Sequence, residues 1–450
     1  MPVEKIKSIF SDPSSSPERI QEQINLLDPF EIARRLHEVS VEDKIRLFHL
    51  LDSDVKRQTL LYETDHDSRL EIQESMETEK VAHLLEEMAE DEAADLLQEH
   101  PEETRAEILG KMEPAEAETI KDLITYGEET AGGLMAVDFN QVRGNPSVAD
   151  ILMNLKRDPN KDSPPYFYLL GDNDELLGYV KLRDLLNVSA QAKIADIIYE
   201  TTPKVYLDDP CEKVANLMDH EQLSTIPVVD ENNVMHGIIT FDDVIRTMQD
   251  IASEDIFTMV GTARVDPFAK STAAKISARA PWLFTTFLGG LMSALILGVF
   301  KDSLAEFTTI ILFVPFVIGL AGNVGIQGAT VIVRGMATGD IQEDNLATVR
   351  RSELRVGICN GLIFGTLCGG FVAALSGPLL HTSPLLGLTV GLGIFLAVAF
   401  AALVGSLAPN LFKKWGIDPA ISTGPFVTVV NDMAGLAIYL ITAAWIFSYL

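Results

Sequence analysis

The last 170 residues contain five stretches, 281–300, 307–333, 356–376, 384–408 and 425–450, that are long and apolar enough to cross a bilayer, a crossing that takes about 20 residues. In hydrocarbon every backbone polar group must be satisfied internally, and stretches of this length read as spanning helices. The fifth contains one acid, Asp432, preceded by Asn431. A carboxylate inside a spanning helix costs about 2.5–3.5 kcal/mol on the insertion scale, so it faces a partner or a water-filled path. A protonated Asp bonded to a neighbouring helix meets that requirement, and so does a cation site.

Charge divides the chain at the same place. Residues 1–280 carry 28 Lys and Arg against 57 Asp and Glu, whereas residues 281–450 carry 7 against 8. So acidic a surface repels nucleic acid and anionic lipid and concentrates multivalent cations, although a solvated acidic face is the commoner reason for acidity. Cys211, Cys359 and Cys368 show no metal-ligand spacing and no disulfide framework, as suits a reducing compartment. The N-terminus, with Ser11 to Pro17, lacks the apolar core of a signal peptide. Loop charges set the orientation. Lys270, Lys275, Arg279, Arg334, Arg350, Arg351, Arg355, Lys413 and Lys414 fall on one side of the spans, and Lys301 on the other. The positive-inside rule puts the first 280 residues in the cytoplasm and Leu450 outside, in a cell (inner) membrane.

The soluble part opens with a 12-residue period: Ile24, Leu36, Phe48, Leu60, Ile72, Leu84, Leu96, Ile108 and Ile120 are all apolar, and Met76, Met88 and Met112 share the spacing with His100 between them. Thr78, Asp91, Pro101 and Pro114 read as helix starts. A 12-residue unit holds one short helix and a turn, too little to bury itself, so neighbours must stack into a superhelical solenoid. An ordinary helical bundle is the bland alternative.

From Gly132-Gly133 the pattern becomes mixed α/β, and a second repeat relates Tyr166–Leu185 to Ile226–Val244, with Gly178 to Gly237 and Asp184 to Asp243 each 59 residues apart. Each copy reads as helix, strand, Asp/Asn turn, strand and helix. This resembles a tandem pair of cystathionine-β-synthase-type (CBS) regulatory domains, most specifically in the run Gly237-Ile-Ile-Thr-Phe-Asp-Asp243. The resemblance implies an adenine-nucleotide site at Arg183 and Asp184, with ATP as a modulator, although Lys181 stands where the motif has Ser or Thr. The segment 242–280 that follows reads as a connecting helix.

Gly357, Gly361, Gly365 and Gly369 on the third span, and Gly387 and Gly391 on the fourth, form small-residue ridges for close packing. In the second span Pro315, Gly319, Gly322, Asn323, Gly325, Gln327, Gly328 and Thr330 are expected to break the helix and expose carbonyls to a cavity.

This order of domains, with Pro315, Gly322, Asn323, Gly325 and Gln327 in the second span and Asn431, Asp432 and Gly435 in the fifth, resembles the MgtE family of magnesium channels. The resemblance implies a homodimer whose pore, on the two-fold axis, is lined by the second and fifth spans and closes when the cytosolic part binds Mg²⁺. It makes Asp432, with Asn431, the pore metal site. Asp91, Asp95, the Gly132 carbonyl, Glu212, Asp219, Asp243, Glu254, Asp255 and Asp418 correspond to regulatory ligands, while Thr59, Gln222, Arg246 and Ile251 depart from the family's acids.

The expected fold is thus a multi-domain membrane protein: an all-α solenoid (1–128), an α/β CBS pair (129–195 and 196–250), a connecting plug-like helix (242–280) and a five-helix transmembrane domain (281–450). Mg²⁺ dehydrates reluctantly, so two Asp432 carboxylates and nearby carbonyls across a dimer axis suit a hydrated ion. The absence of a Gly-x-x-x-x-Gly-Lys-Ser/Thr loop argues against ATP hydrolysis as the engine, so a transporter rather than an enzyme is expected. Transport of another divalent ion such as Co²⁺, and a membrane-anchored nucleotide sensor without a pore, are the alternatives.

Overall fold

The computed structural model describes residues 2–11, 16–157, 165–200, 202–263, 265, 271–301 and 308–448, so Lys270, Leu450 and residues 12–15 lie outside the described residues. It divides into two units, Met1–Gln249 and Asp250–Leu450.

The first unit opens with short helices running from Pro2–Ser11 to Pro114–Leu123. All nine apolar positions of the 12-residue period are at most 5 % exposed, so each repeat sends its periodic side chain into the core, beside others such as Val81 and Leu85. His100, in the series of Met76, Met88 and Met112, is buried with its Nε2 3.0 Å from the Gln73 Oε1. A second series, of helix caps, also runs through the early repeats. Ser16, Asp28, Ser40, Ser53 and Asp65 accept the backbone N–H of Arg19, Phe30, Asp43, Lys56 and Ser68, satisfying donors a helix start leaves open. The later caps, Glu77, Ala89, Pro101 and Glu113, make no such bond. There, acids in the first turn, such as Glu90, Asp91 and Glu92, stabilise the positive end of the helix dipole. Thr78, Asp91 and Pro114 therefore lie inside first turns rather than at caps.

Two three-stranded sheets follow. The first contains β1 (Gln141–Arg143), β2 (Tyr166–Leu170) and β3 (Leu176–Lys181), and the second β4 (Val205–Tyr206), β5 (Thr225–Val229) and β6 (Met235–Thr240). In each, the first strand pairs parallel to the middle one, which forms an antiparallel hairpin with the third. The register slips at Leu169/Leu170 and again at Val228/Val229, the same 59-residue offset. The hairpin turns hold Asp174 and Asn233 at φ 62° and 65°. They are tied together by Leu176 N–H donating to the Asn233 carbonyl (2.9 Å) and Met235 N–H donating to that of Asp174 (3.0 Å). The solenoid joins this pair through Ala131 N–H to the Asp209 carbonyl and Gly132 N–H to the Leu207 carbonyl, both 2.8 Å.

The segment expected as one connecting helix contains two. Phe241–Met259 ends before Gly261, and Thr272–Val299, capped by Ser271, runs through Pro281 into the first span. The remaining membrane helices are Val314–Ala337, Leu346–Ser376, Leu385–Lys414 and Pro425–Phe447. The expectation of a broken second span is overturned, because Val314–Ala337 is continuous. Pro315 occupies the first turn, where no N–H is needed, and Gly325 and Gly335 serve close approach instead of unwinding. Tyr439, fully buried, donates its hydroxyl to the Ile310 carbonyl at 2.9 Å and fixes the fifth span against the entry to the second.

The third and fourth spans meet backbone to backbone. A Cβ at Gly365 would stand 2.7 Å from the Gly391 carbonyl, and one at Gly369 2.7 Å from that of Gly387, whereas nothing lies within 4 Å of one at Gly370. Gly365→Ala is therefore expected to cost about 1–3 kcal/mol by overpacking, and Gly370→Ala to melt at or above the wild-type temperature. Thermal unfolding of the detergent-solubilised protein checks the pair; equal melting temperatures would remove the ridge as a packing determinant.

Candidate functional site

The acids of the first unit converge at one corner. The Glu90–Gln98 helix brings Asp91, Glu92 and Asp95 into the electrostatic reach of Asp243, in the first turn of the Phe241–Met259 helix. Burial, then the charge of Asp243, raises the Asp91 carboxyl to about 6, and its Oδ1 is enclosed without a hydrogen-bond partner. Burial and Asp91 raise Glu92 to about 7. Asp95 rises to about 7 through burial, Asp91 and Glu128, against a hydrogen bond from the Tyr62 hydroxyl (3.4 Å). Its side chain keeps an exposed edge, where solvent screens part of that repulsion. Burial also raises Asp243, opposed by the Thr240 hydroxyl that donates to it.

A resident cation already sits among them. Arg246 lies with its guanidinium carbon 4.6 Å from the centre of the Tyr62 ring and its Nη2 3.2 Å from the Glu63 Oε1. Sequence reading marked Arg246 only as a departure, and it missed Tyr62, Glu63 and Glu92, because these meet Arg246 across more than 150 residues of chain.

Other expected ligands lie elsewhere. Glu212 and Asp219 belong to the Cys211–Glu221 helix, and Gly132 is pinned against Tyr126 and the Leu207 carbonyl. In the second unit, Glu254 is exposed, Asp255 is half-buried, and Asp418 accepts the Ala420 N–H at 2.8 Å to cap the Pro419–Ser422 turn. Near it, a Cβ at Gly424 would stand 2.7 Å from the Met259 carbonyl, and one at Gly261 2.5 Å from the Pro425 ring. The end of the Phe241–Met259 helix thus abuts the start of the fifth span. In the first CBS copy, Asp184 accepts the Tyr199 hydroxyl at 3.3 Å while Arg183 is exposed. A cleft between the copies is lined by Tyr166, Tyr168, Tyr179, Pro203, Thr225 and Pro227, where the Tyr168 and Thr225 hydroxyls are buried and unpaired.

In the membrane unit, Asp432 lies against Gly322 of the second span, its Oδ1 3.7 Å from where a Cβ would be. Asp432 is partly exposed, whereas Asn431, about 100° round the helix, is fully buried against Gly325 with both amide atoms unpaired. Gly325 can carry no side chain, since its Cβ position is filled by the Asn431 amide. Asn323 and Gln327, one turn apart on the second span, are exposed. Polar side chains at that depth face water or a partner rather than lipid. Glu353 went unnoticed because the apolar stretch begins at 356; the helix itself begins at Leu346.

Three family models match: the MgtE divalent cation transporter over residues 314–442, the MgtE intracellular N domain over 27–129 and the CBS domain over 194–250. The magnesium transporter MgtE of Thermus thermophilus is 34 % identical over 336 residues, which are 74 % of this chain and 73 % of that protein. That of Enterococcus faecalis is 31 % identical over 335 residues, with the same shares. The crystal structure of the cytosolic domain of the Mg²⁺ channel MgtE in complex with ATP is 26 % identical, with a TM-score of 0.49 over 52 % of this chain and 95 % of that one.

The acid corner should respond to pH. Its carboxyls are raised in the folded state, so that state holds protons the unfolded chain has lost, and their stabilising effect fades as pH rises through about 6 to 7. In EDTA, proteolysis between the solenoid and the CBS pair is expected to quicken from pH 5.5 to 8. Arg246→Gln should lower the melting temperature at pH 8 by a few degrees, since a half-exposed ion pair and a cation–π contact together contribute roughly 1 kcal/mol. Cleavage independent of pH would show the corner to be fully solvated.

Proposed function

This chain belongs to the MgtE family of divalent cation transporters, and on that premise we propose that it is a Mg²⁺ channel. It is read as a homodimer in the cell membrane, with the solenoid and CBS pair in the cytoplasm and the C-terminus outside. The carrying observation is Asp432. Its carboxylate stays partly exposed beside Gly322, on a surface that also presents Asn323 and Gln327. Two copies of that surface around a two-fold axis would give a polar path in which paired carboxylates hold a hydrated ion, the manner in which Mg²⁺ is best bound. Asn431, buried against Gly325, would hold Asp432 in place from behind.

Flow is passive and inward, since an inside-negative potential favours entry of a divalent ion by about 4.6 kcal/mol per 100 mV. Closure is read as a response to cytosolic Mg²⁺, which would relieve repulsion at the Asp91, Asp95 and Asp243 corner and at the other regulatory acids. The abutment of Met259 and Gly261 on Gly424 and Pro425 supports a direct push on the fifth span. The tyrosine-lined cleft near Asp184 supports an adenine nucleotide such as ATP as a modulator.

The test is ion flux into liposomes containing only this protein. Wild type is expected to admit Mg²⁺, and Asp432→Asn to lower Mg²⁺ flux or its preference over Na⁺ by roughly tenfold, the scale of one lost charge-assisted contact. Wild-type selectivity in a well-inserted Asp432→Asn protein would sink the pore assignment, and a Co²⁺ flux exceeding that of Mg²⁺ would reassign the ion. Failure of the wild type to conduct either ion would favour a sensor without a pore.

A further inference from the structure

The third and fourth spans meet along an antiparallel seam. A Cβ at Gly365 would stand 2.7 Å from the Gly391 carbonyl, one at Gly361 3.2 Å from the Phe395 carbonyl, and one at Gly357 against the Ala402 side chain. Each turn back along the third span is thus matched by a turn forward along the fourth, toward the ends that the positive-inside rule places in the cytoplasm. Arg350 lies about two turns before Gly357 on the same face, and Pro409 and Lys413 lie about two and three turns beyond Ala402 on the facing one. We propose that Arg350 and Lys413 together hold the phosphate of an anionic phospholipid of the cytoplasmic leaflet, at the end of this seam. The proposal rests on the five spans and their orientation and is independent of the channel reading.

Three observations carry it. First, five of the seven Lys and Arg residues of 281–450 gather at these two helix ends, Arg350, Arg351 and Arg355 on the third span and Lys413 and Lys414 on the fourth. Among the described residues none of the five has an ion-pair partner, although acids are near in sequence. Asp340 accepts the Thr338 hydroxyl at 2.8 Å, Glu343 and Asp344 are exposed, and Glu353 turns to Gly328 of the second span, its Oε2 3.8 Å from the Cβ position there. In the first unit, by contrast, Lys44, Lys56, Arg57, Arg69, Lys80 and Lys111 all pair with acids. Second, Arg350 is half-buried, and its Nε is enclosed without a hydrogen-bond partner. A guanidinium so placed has lost water that an anion would replace, and a phosphate matches its planar fork. Third, the helix dipoles explain only half of the cluster. The carbonyl end of the fourth span favours Lys413 and Lys414, but Arg350 and Arg351 follow the first turn of the Leu346–Ser376 helix, near its positive end, where a cation gains nothing. A negative group from outside the chain satisfies both ends. The same helices expose Val356, Ile358, Leu403 and Leu411 nearby, with Trp415 exposed beyond Lys414. Apolar surface for acyl chains, and an aromatic ring of the kind found at headgroup level, favour a lipid over a free phosphate.

The competing account makes the five cations a diffuse topology signal that holds no particular lipid. Titrating phosphatidylglycerol into phosphatidylcholine nanodiscs that contain the full chain is expected to raise the wild-type melting temperature by a few degrees and to saturate. Arg350→Gln and Lys413→Gln should each raise the half-saturating phosphatidylglycerol fraction roughly three- to tenfold, the worth of one lost charged contact, and Arg350→Lys should recover part of the loss. Arg355→Gln removes the same charge about 200° round the helix from Gly357, and should shift half-saturation by less than about twofold, as for a solvated surface charge. Equal shifts in Arg350→Gln and Arg355→Gln, or none in either, would overturn the site in favour of diffuse attraction. Equal protection by millimolar inorganic phosphate in pure phosphatidylcholine nanodiscs would overturn the lipid assignment. Lys413→Gln, an exposed change at a helix end, carries the same test if Arg350→Gln does not insert.

Discussion

Negative charge without a fixed counterpart is the constraint on which the rest of the structure depends. A carboxylate taken out of water must be protonated, paired or given an ion. The acid corner of the first unit answers with the first two, raised proton affinity at Asp91, Glu92 and Asp95 and the guanidinium of Arg246, and leaves an enclosed Asp91 oxygen without a partner. The membrane unit holds Asp432 partly exposed, beside a helix that presents glycine backbone instead of side chains. In both places the chain leaves electrostatic work undone, which is what the channel reading proposed above requires.

Close backbone approach is the complementary constraint. Lipid gives membrane helices no hydrophobic drive toward one another, so they associate where small residues let their backbones touch. The ridge pairing Gly365 and Gly369 with Gly391 and Gly387 joins the third and fourth spans in this way. The fourth then reaches the second, because a Cβ at Gly405 would overlap the Gly325 carbonyl. Gly325 is thus held by Gly405 on one side and by the Asn431 amide on the other. The position of Asp432 depends on a stack of residues that contribute no side chain at all.

Much of this was legible in the sequence, and the losses have physical reasons. Periodicity reports which face of a short repeat is buried, so every member of the 12-residue series from Ile24 to Ile120 lies in the core, although the core also takes residues outside it, such as Ile32, Leu47 and Leu61. The 59-residue duplication showed both hairpins, but not the short first strands Gln141–Arg143 and Val205–Tyr206, which two or three residues are too few to announce. Glycine and proline were ambiguous. In water they signal a break, but Pro315 in a first turn and Gly322, Gly325 and Gly328 against neighbours leave the second span whole. Contacts between distant segments were beyond local pattern: nothing in sequence relates Arg246 to Glu63, 183 residues away. Glu353 was missed because the apolar stretch begins at 356, beyond Arg355, whereas the helix begins ten residues earlier at Leu346.

The duplicated CBS scaffold carries one more consequence, which lies in a single position. Thr240 donates its hydroxyl to Asp243, and the equivalent residue 59 places earlier is Lys181, which makes no cap bond. Asp243 is thereby committed to its own helix start and to the acids beyond it. Asp184, released from that duty, turns to the hydroxyl of Tyr199. One exchange of a hydroxyl for an ammonium has given twin folds separate vocations: one copy is fastened to the solenoid's charge, and the other keeps its acid on the rim of an aromatic cleft.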